Sequence, residues 1–271
     1  RFCGIYPSMG EPKFSTRSLS DIITDINLLL SRHPCPETAF FGDADPLAAG
    51  MDVFTGAARY LRSHCETIQR LTCYARVSTL YKLGPENIGL LKESGLDRVH
   101  LGLESGDEEI LRFQRKGQST KMVISVAGWL KDAGIEVSYY VLLGLGGQNR
   151  SEQHVKATAE IINETAPEFV RLRRLWLYGE GTEKECPLMA QVRSGDFVPQ
   201  SPEGTVIEVQ RLLEQLQPLP TFFACDHANN FIQVSGFLNE DREEMLREVH
   251  DFLRLPEEQR KAHYDLIGSR I

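Results

Sequence analysis

Leu91-Lys-Glu-Ser-Gly-Leu96 runs almost directly into Arg98-Val-His-Leu-Gly-Leu103, and the same grammar returns at Leu130-Lys-Asp-Ala-Gly-Ile135 followed by Val137-Ser-Tyr-Tyr-Val-Leu-Leu143. In both places a helical pattern stops at a glycine suited to a left-handed cap, and an apolar strand starts at once. Short helix-to-strand links and strands apolar on both faces are what a parallel sheet covered by helices requires. Outward from this pair, the alternation continues in both directions. Ser18 to Leu30 carries apolar residues at helical spacing, with Ser18 or Ser20 as N-cap. Thr38-Ala-Phe-Phe-Gly42 predicts a short buried strand, followed by a helix from Met51 to Ser63 and a strand from Ile68 to Tyr74. Pro85 fits the first turn of a helix reaching Ser94. A helix from Ser151 to Thr165 and a strand from Phe169 to Leu175 extend the series.

Repeated αβ units without long linkers predict an α/β protein built as a partial parallel (β/α)6 TIM-like barrel, with a doubly wound sheet as the rival. The barrel core is assigned to residues 1–178. Residues 179–271 predict a C-terminal extension packed on the barrel, with helices from Pro202 to Leu216, from Glu240 to Leu255 and beyond Pro256.

Composition narrows the class. Of 271 residues, 41% are hydrophobic and 25% charged, and no apolar run nears the roughly 18 residues of a membrane span. No signal peptide is visible, so a cytoplasmic protein is expected. The formal net charge of −8 lacks the broad basic footprint of a nucleic-acid binder, and points to a small-molecule substrate. Six cysteines are scattered without disulfide-scaffold density, and Cys73 sits in an apolar run as a buried thiol.

In a parallel barrel, function gathers in loops at the C-terminal strand ends. Those loops are Gly42-Asp-Ala-Asp-Pro46, Ala75-Arg76, Glu104-Ser-Gly106, Gly144-Leu-Gly-Gly147 and Trp176-Leu-Tyr-Gly179. Glycine, carboxylate and arginine at one rim suit a cofactor approached closely by backbone. Each signal has a plainer reading: Gly144 to Gly147 as a turn, Asp43 and Asp45 as caps, Lys116 as a solvated charge. The glycine loop does not follow the dinucleotide-binding order, and no nucleophile elbow is present.

Taken in order, these loops resemble one family. Arg1-Phe-Cys-Gly-Ile-Tyr6 is similar to the end of the C-x-x-x-C-x-aromatic-C motif of radical S-adenosylmethionine (SAM) enzymes. Gly42-Asp-Ala-Asp45 stands at their glycine motif after the second strand. The span from Gly95 through Arg98-Val-His-Leu-Gly-Leu-Glu-Ser-Gly106 to Arg115-Lys-Gly117, and Val141-Leu-Leu-Gly-Leu-Gly-Gly147 with its continuation to Glu152, complete the match. The resemblance is to the branch holding oxygen-independent coproporphyrinogen dehydrogenases and Elongator-type radical proteins.

The resemblance implies a four-iron four-sulfur cluster and SAM, cleaved reductively to a 5′-deoxyadenosyl radical that takes hydrogen from substrate. It places Cys3 as the third cluster ligand, beside Phe2. The other two cysteines and the first barrel strand are then expected upstream. Gly42, Asp43 and Ala44 would meet the SAM ammonium, and Glu104 with Ser105 the ribose or ammonium. Arg115, Lys116 or Arg76 would pair with its carboxylate, and Leu143 with Gly144 would lie beside the adenine. An electron donor such as flavodoxin or ferredoxin is implied as a partner. Tyr140 stands where relatives often carry a carboxylate.

For the substrate, alternation sends Arg171 and Arg173 to one strand face and Arg174 to the other. Arg173, Tyr178, Asp226 and His227 are the candidates for holding a small organic anion. His227 also fits as an ordinary structural histidine. Two other readings stay open: an inactive barrel serving as scaffold or ligand-binding module, and an α/β-barrel lyase or hydrolase using Asp43, Asp45 and Glu104.

Overall fold

A computed structural model describes residues 1–3, 14–177 and 185–268. The core–extension boundary at residue 178, and Tyr178 itself, lie outside the described residues. Helix α1 spans Leu19–Arg32, and Ser18 caps it by accepting the Asp21 N–H at 3.2 Å. Then come β1 (Thr38–Phe41), a short 3-10 turn at Pro46–Ala49, α2 (Met51–His64), β2 (Arg70–Ala75) and α3 (Val77–Glu93). Helix α3 is broken at Gly84, whose φ of 77° leaves Pro85 to open the second half as the sequence predicts. Strand β3 (Arg98–Glu104), α4 (Glu108–Phe113), α5 (Thr120–Asp132), β4 (Glu136–Leu143), α6 (Ser151–Thr165) and β5 (Phe169–Arg174) follow. The remainder comprises α7 (Leu188–Ser194), α8 (Pro202–Gln215), β6 (Phe222–Cys225), β7 (Val234–Phe237), α9 (Arg242–Arg254) and α10 (Glu257–Gly268).

The strands stand in chain order, β1 to β7, in a seven-stranded sheet. Strand β1 pairs parallel with β2 (Thr38 opposite Arg70), β2 with β3 (Thr72 opposite Arg98) and β5 with β6 (Phe169 opposite Phe222). This is the α/β, mostly parallel architecture expected of a partial barrel. The region after residue 179 is not purely helical, however. Phe222–Cys225 adds a parallel strand, and Val234–Phe237 closes the sheet antiparallel, with Phe222 opposite Phe237. Four apolar residues are too few for periodicity to separate strand from helix, so only pairing with β5 reveals them. No helix among the described residues is long and apolar enough to cross a membrane.

By internal contacts the chain forms two compact units: residues 14–102 with 121–138, and residues 1–13, 103–120 and 139–271. In the first, the repeated helix-to-strand link is a pair of matched caps. Gly95 (φ 104°) sends its N–H to the Lys92 carbonyl, and Leu96 sends its own to Leu91. Gly134 (φ 72°) and Ile135 repeat both bonds onto Lys131 and Leu130. Leu96 and Ile135 are thereby buried, each contributing about 1.5–3 kcal/mol of apolar burial. Below the first cap, Asp97 accepts the Leu71 N–H at 2.8 Å and pairs with Arg62, whose guanidinium also donates to the Gly95 carbonyl at 2.8 Å.

These two caps separate conformational from steric cost. A Cβ on Gly95 would lie 2.7 Å from Arg62 Cγ, whereas on Gly134 the nearest neighbour is Lys92 Cε at 3.9 Å. Gly134→Ala should cost about 1–2 kcal/mol, the left-handed penalty alone. Gly95→Ala should cost distinctly more, since it also displaces the Arg62–Asp97 pair. Urea unfolding midpoints of the two variants check the order.

Candidate functional site

The C-terminal end of β3 is the most elaborated point of the second unit. Glu104 ends the strand in the left-handed region (φ 61°), where a non-glycine residue costs energy and calls for compensation. Its carboxylate accepts from Lys116 Nζ at 2.7 Å, with only 12% of the Glu104 side chain and 18% of the Lys116 side chain exposed. Lys116 Nζ also lies 5.8 Å from the centre of the Phe2 ring. Phe2 packs against the buried cluster of Cys186, Leu188, Met189 and Phe197. Three expected cofactor-end residues, Phe2, Glu104 and Lys116, are thus brought together, with Cys3 next to Phe2 in the chain.

Ser105 departs from expectation. It is fully buried, its hydroxyl lies 2.8 Å from His154 Nδ1, and it accepts the Asp107 N–H at 3.1 Å. With both interactions internal, it secures the loop to α6 rather than facing a ligand. Gly106 continues the attachment: its N–H meets Thr158 Oγ1 at 2.9 Å, and a Cβ there would fall 2.1 Å from the Ala157 carbonyl oxygen. Asp107 then caps α4 through the N–H groups of Glu109 and Ile110, and accepts from Arg150 at 2.8 Å. Burial pushes the Asp107 carboxyl up, but those N–H donors and the Arg150 guanidinium outweigh it and hold it below the usual range. Burial likewise lowers the pKa of His154.

At the end of β4, Leu143 is buried and Gly144 turns the chain at φ 78°. The Gly144 N–H does not point to an open ligand position; it donates to Glu208 Oε2 at 2.7 Å. Glu208, wholly buried on α8, also accepts from the Ser151 hydroxyl at 2.7 Å and from Gln200 at 3.3 Å. Sequence reasoning missed Glu208, since a glutamate on an amphipathic helix reads as solvated. It also missed His154.

Of the expected substrate residues, Arg173 and Asp226 are brought together. Arg173 stacks over Tyr140 at 5.1 Å and lies 3.7 Å from Asp226. Its strand partner Arg171 is placed over Phe169. His227 Nδ1 lies 2.5 Å from Asn229 Oδ1 within its own loop. Arg115 is exposed, in the left-handed region at φ 55°.

In the other unit, Gly42, Asp43, Ala44 and Arg76 are exposed at the ends of β1 and β2. Asp43 has φ 83° and accepts the Ala44 N–H at 2.6 Å. Asp45 is occupied structurally: it accepts the Arg76 N–H at 3.4 Å and the Thr79 hydroxyl at 2.5 Å, securing the start of α3.

Among cofactors, the donor set fits SAM better than it fits a cluster. A carboxylate–ammonium pair complements an amino acid's own ammonium and carboxylate. Cys3 is an exposed free thiol, and no group of three metal-ligating side chains occurs among the described residues. A cluster of this kind takes three thiolates, of which Cys3 would supply one.

The chain belongs to the Radical SAM superfamily, matched over residues 1–159. That membership makes it an enzyme-superfamily chain and brings SAM and a four-iron four-sulfur cluster as its cofactors. It is 31% identical over 135 residues to a tRNA uridine(34) acetyltransferase of Methanocaldococcus infernus, a stretch covering 49% of this chain and 24% of that protein. The match thus spans about a quarter of that relative's length. The archaeal Elp3 of Methanocaldococcus infernus with an N-terminal deletion shares the fold at a TM-score of 0.57 and 19% identity, over 87% of this chain and 59% of that one. The coproporphyrinogen III oxidase HemN of Escherichia coli also has a TM-score of 0.57, at 11% identity, over 72% of this chain and 44% of that one.

Two outcomes follow from the buried groups. Because His154 is held neutral when folded, its depressed pKa contributes stability fully present above the unfolded value of about 6.5 and lost as pH falls toward the folded value. Urea titrations between pH 7 and 5 should show this loss, and His154→Gln should flatten it. Glu208→Gln turns an amide N–H toward convergent donors and should cost about 1–3 kcal/mol at neutral pH by the same measurement.

Proposed function

We propose that this chain carries the SAM-binding and hydrogen-abstracting part of a radical SAM enzyme acting on a small organic anion. The observation that carries the reading is the Glu104–Lys116 pair, held beside Phe2 at a strained strand end. When bound with its cluster, SAM supplies a carbon-centred radical that removes hydrogen from substrate. The chain's own residues bind and position. Glu104 would accept from the SAM ammonium or ribose, and Lys116 would donate to its carboxylate, each exchanging an internal partner for one of like charge. Phe2 covers the pair and limits water beside it. Arg115 remains an alternative partner for the carboxylate. Leu143 and Gly144 would form apolar wall beside the adenine, with Gly144 fixed by Glu208 rather than donating to the ligand.

Arg173 is the residue we assign to the substrate anion, with Asp226 as its resting partner. The acidic net charge of −8 supports a small substrate over a polynucleotide. A second reading is favoured by one observation: the relative at 31% identity is a tRNA uridine(34) acetyltransferase, which supports a uridine base in tRNA as the group acted upon.

The test uses the full-length protein, reconstituted anaerobically with iron and sulfide and given SAM and a reductant. Formation of 5′-deoxyadenosine is expected; its absence with an intact cluster would favour the scaffold reading. Lys116→Met should weaken SAM binding about tenfold to a hundredfold, the value of a lost charge-assisted hydrogen bond. Salt-sensitive binding of tRNA would move the substrate assignment to the second reading.

A further inference from the structure

Arg174 ends β5 on the strand face shared with Val170 and Leu172, opposite Arg173. Its guanidinium lies between two rings, 4.2 Å from the centre of Phe231 and 5.1 Å from that of Trp176. Stacking accounts for its faces but not for its edge. Nε and Nη2 are buried and have no hydrogen-bond partner among the described residues. Arginine cannot shed its charge within the protein, so an unpaired buried edge is a standing cost, larger than for a neutral donor. Burial lowers the pKa of this guanidinium, in keeping with that lack of compensation.

Beside the guanidinium lies a cavity of about 230 Å³, bounded by Trp176, Leu177, Gly144, Gln200 and Phe231. None of the described residues lining it carries a carboxylate. The neighbouring acid, Glu208, is already committed to Gly144, Ser151 and Gln200. The wall is thus mostly apolar and aromatic, with the neutral Gln200 and Thr205 and one cation whose hydrogen-bonding edge is unmet among the described residues. The cavity volume, below the roughly 300–1,000 Å³ of drug-sized pockets, suits a small ligand.

We propose that this cavity is a binding site for a small organic anion, whose carboxylate or phosphate pairs with the edge of Arg174 while its flat or apolar body rests on Trp176 and Phe231. A planar oxyanion suits the guanidinium fork, and the two rings hold that fork in orientation before the ligand arrives. The cavity shares Leu143 and Gly144 with the wall assigned above to the adenine, but the anion contact itself rests on Arg174 and the two rings, and not on the Glu104–Lys116 pair.

The chain has two tryptophans, Trp129 and Trp176. In the full chain, Trp129→Phe leaves Trp176 as the only indole, so its emission reports on the cavity wall directly. Benzoate, phenyl phosphate and neutral benzamide are titrated in turn. A saturable emission change with benzoate or phenyl phosphate, at least tenfold weaker with benzamide, is the expected result. Preference for benzoate identifies a carboxylate ligand, and preference for phenyl phosphate a phosphate one. Adding Arg174→Gln, with far-ultraviolet circular dichroism unchanged, should weaken binding at least tenfold, and Arg174→Lys should restore part of it. Benzamide binding as well as benzoate, no saturable change with either anion, or undiminished binding in a folded Arg174→Gln protein would each overturn the site. If Arg174→Gln fails to fold, the benzoate–benzamide comparison on the protein with Arg174 intact decides the matter.

Discussion

A single carboxylate, Glu208, holds the second unit in register. An ionised carboxylate buried without partners would cost several kcal/mol, and this one is buried completely. Three donors offset that cost, and each comes from a different part of the chain: the Gly144 N–H at the end of β4, the Ser151 hydroxyl opening α6, and the Gln200 amide just before α8. Because an unmet partner inside is worse than a bond never made, the three segments cannot separate without exposing all of them. Helix α8 and Gln200 before it are therefore integral to this unit. Helix α6 receives the β3 end in the same manner, through His154 to Ser105, Thr158 to Gly106 and Arg150 to Asp107. Two strand ends that carry candidate ligand-binding loops are thus referred to one helix.

Legibility in the sequence followed the range of the interaction. The glycine-capped links at Gly95 and Gly134 are local, set by positive φ and by bonds spanning five residues, and both were readable with their strands. Strands β6 and β7 exist by pairing with β5 and with each other, so four-residue segments carried too little pattern to reveal them. Glu208 and His154 escaped because burial of a polar side chain is decided by what packs over it, which no periodicity shows. Alternation along β5 did assign faces correctly: Arg173 meets Tyr140 and Asp226, and Arg174 meets Phe231. What alternation could not supply was which arginine would lack a partner. Ser105 was misjudged for a related reason, since a serine in a rim loop looks available until the helix beneath it is known.

Strain sits at the same places as the candidate chemistry. Four non-glycine residues among those described have positive φ: Asp43, Glu104, Arg115 and Ala166. The first three fall in the loops singled out for cofactor binding, whereas Ala166 simply ends α6. A left-handed non-glycine residue costs about 1–3 kcal/mol and persists only where surrounding contacts over-determine it. At Glu104 those contacts are visible, in the buried Ser105 and Gly106 that follow it and in Lys116. The backbone there is thereby set before any ligand arrives, which lowers the ordering cost of binding.

The Glu104–Lys116 pair also answers an electrostatic problem. A site that must accept a zwitterion needs both signs of charge in a half-buried place, and a lone charge of either sign would be expensive while waiting. Paired at 2.7 Å, the two charges satisfy each other. A ligand bearing an ammonium and a carboxylate can then take over both roles without changing the net charge of the site. Because both side chains are largely buried, losing one partner alone would leave an uncompensated charge, whereas exchange for a zwitterion would keep both charges paired. Such a pair would thereby favour a ligand with that arrangement of charge. A purely anionic ligand would displace Glu104 from Lys116 and leave a carboxylate unpaired, and a purely cationic one would strand the lysine.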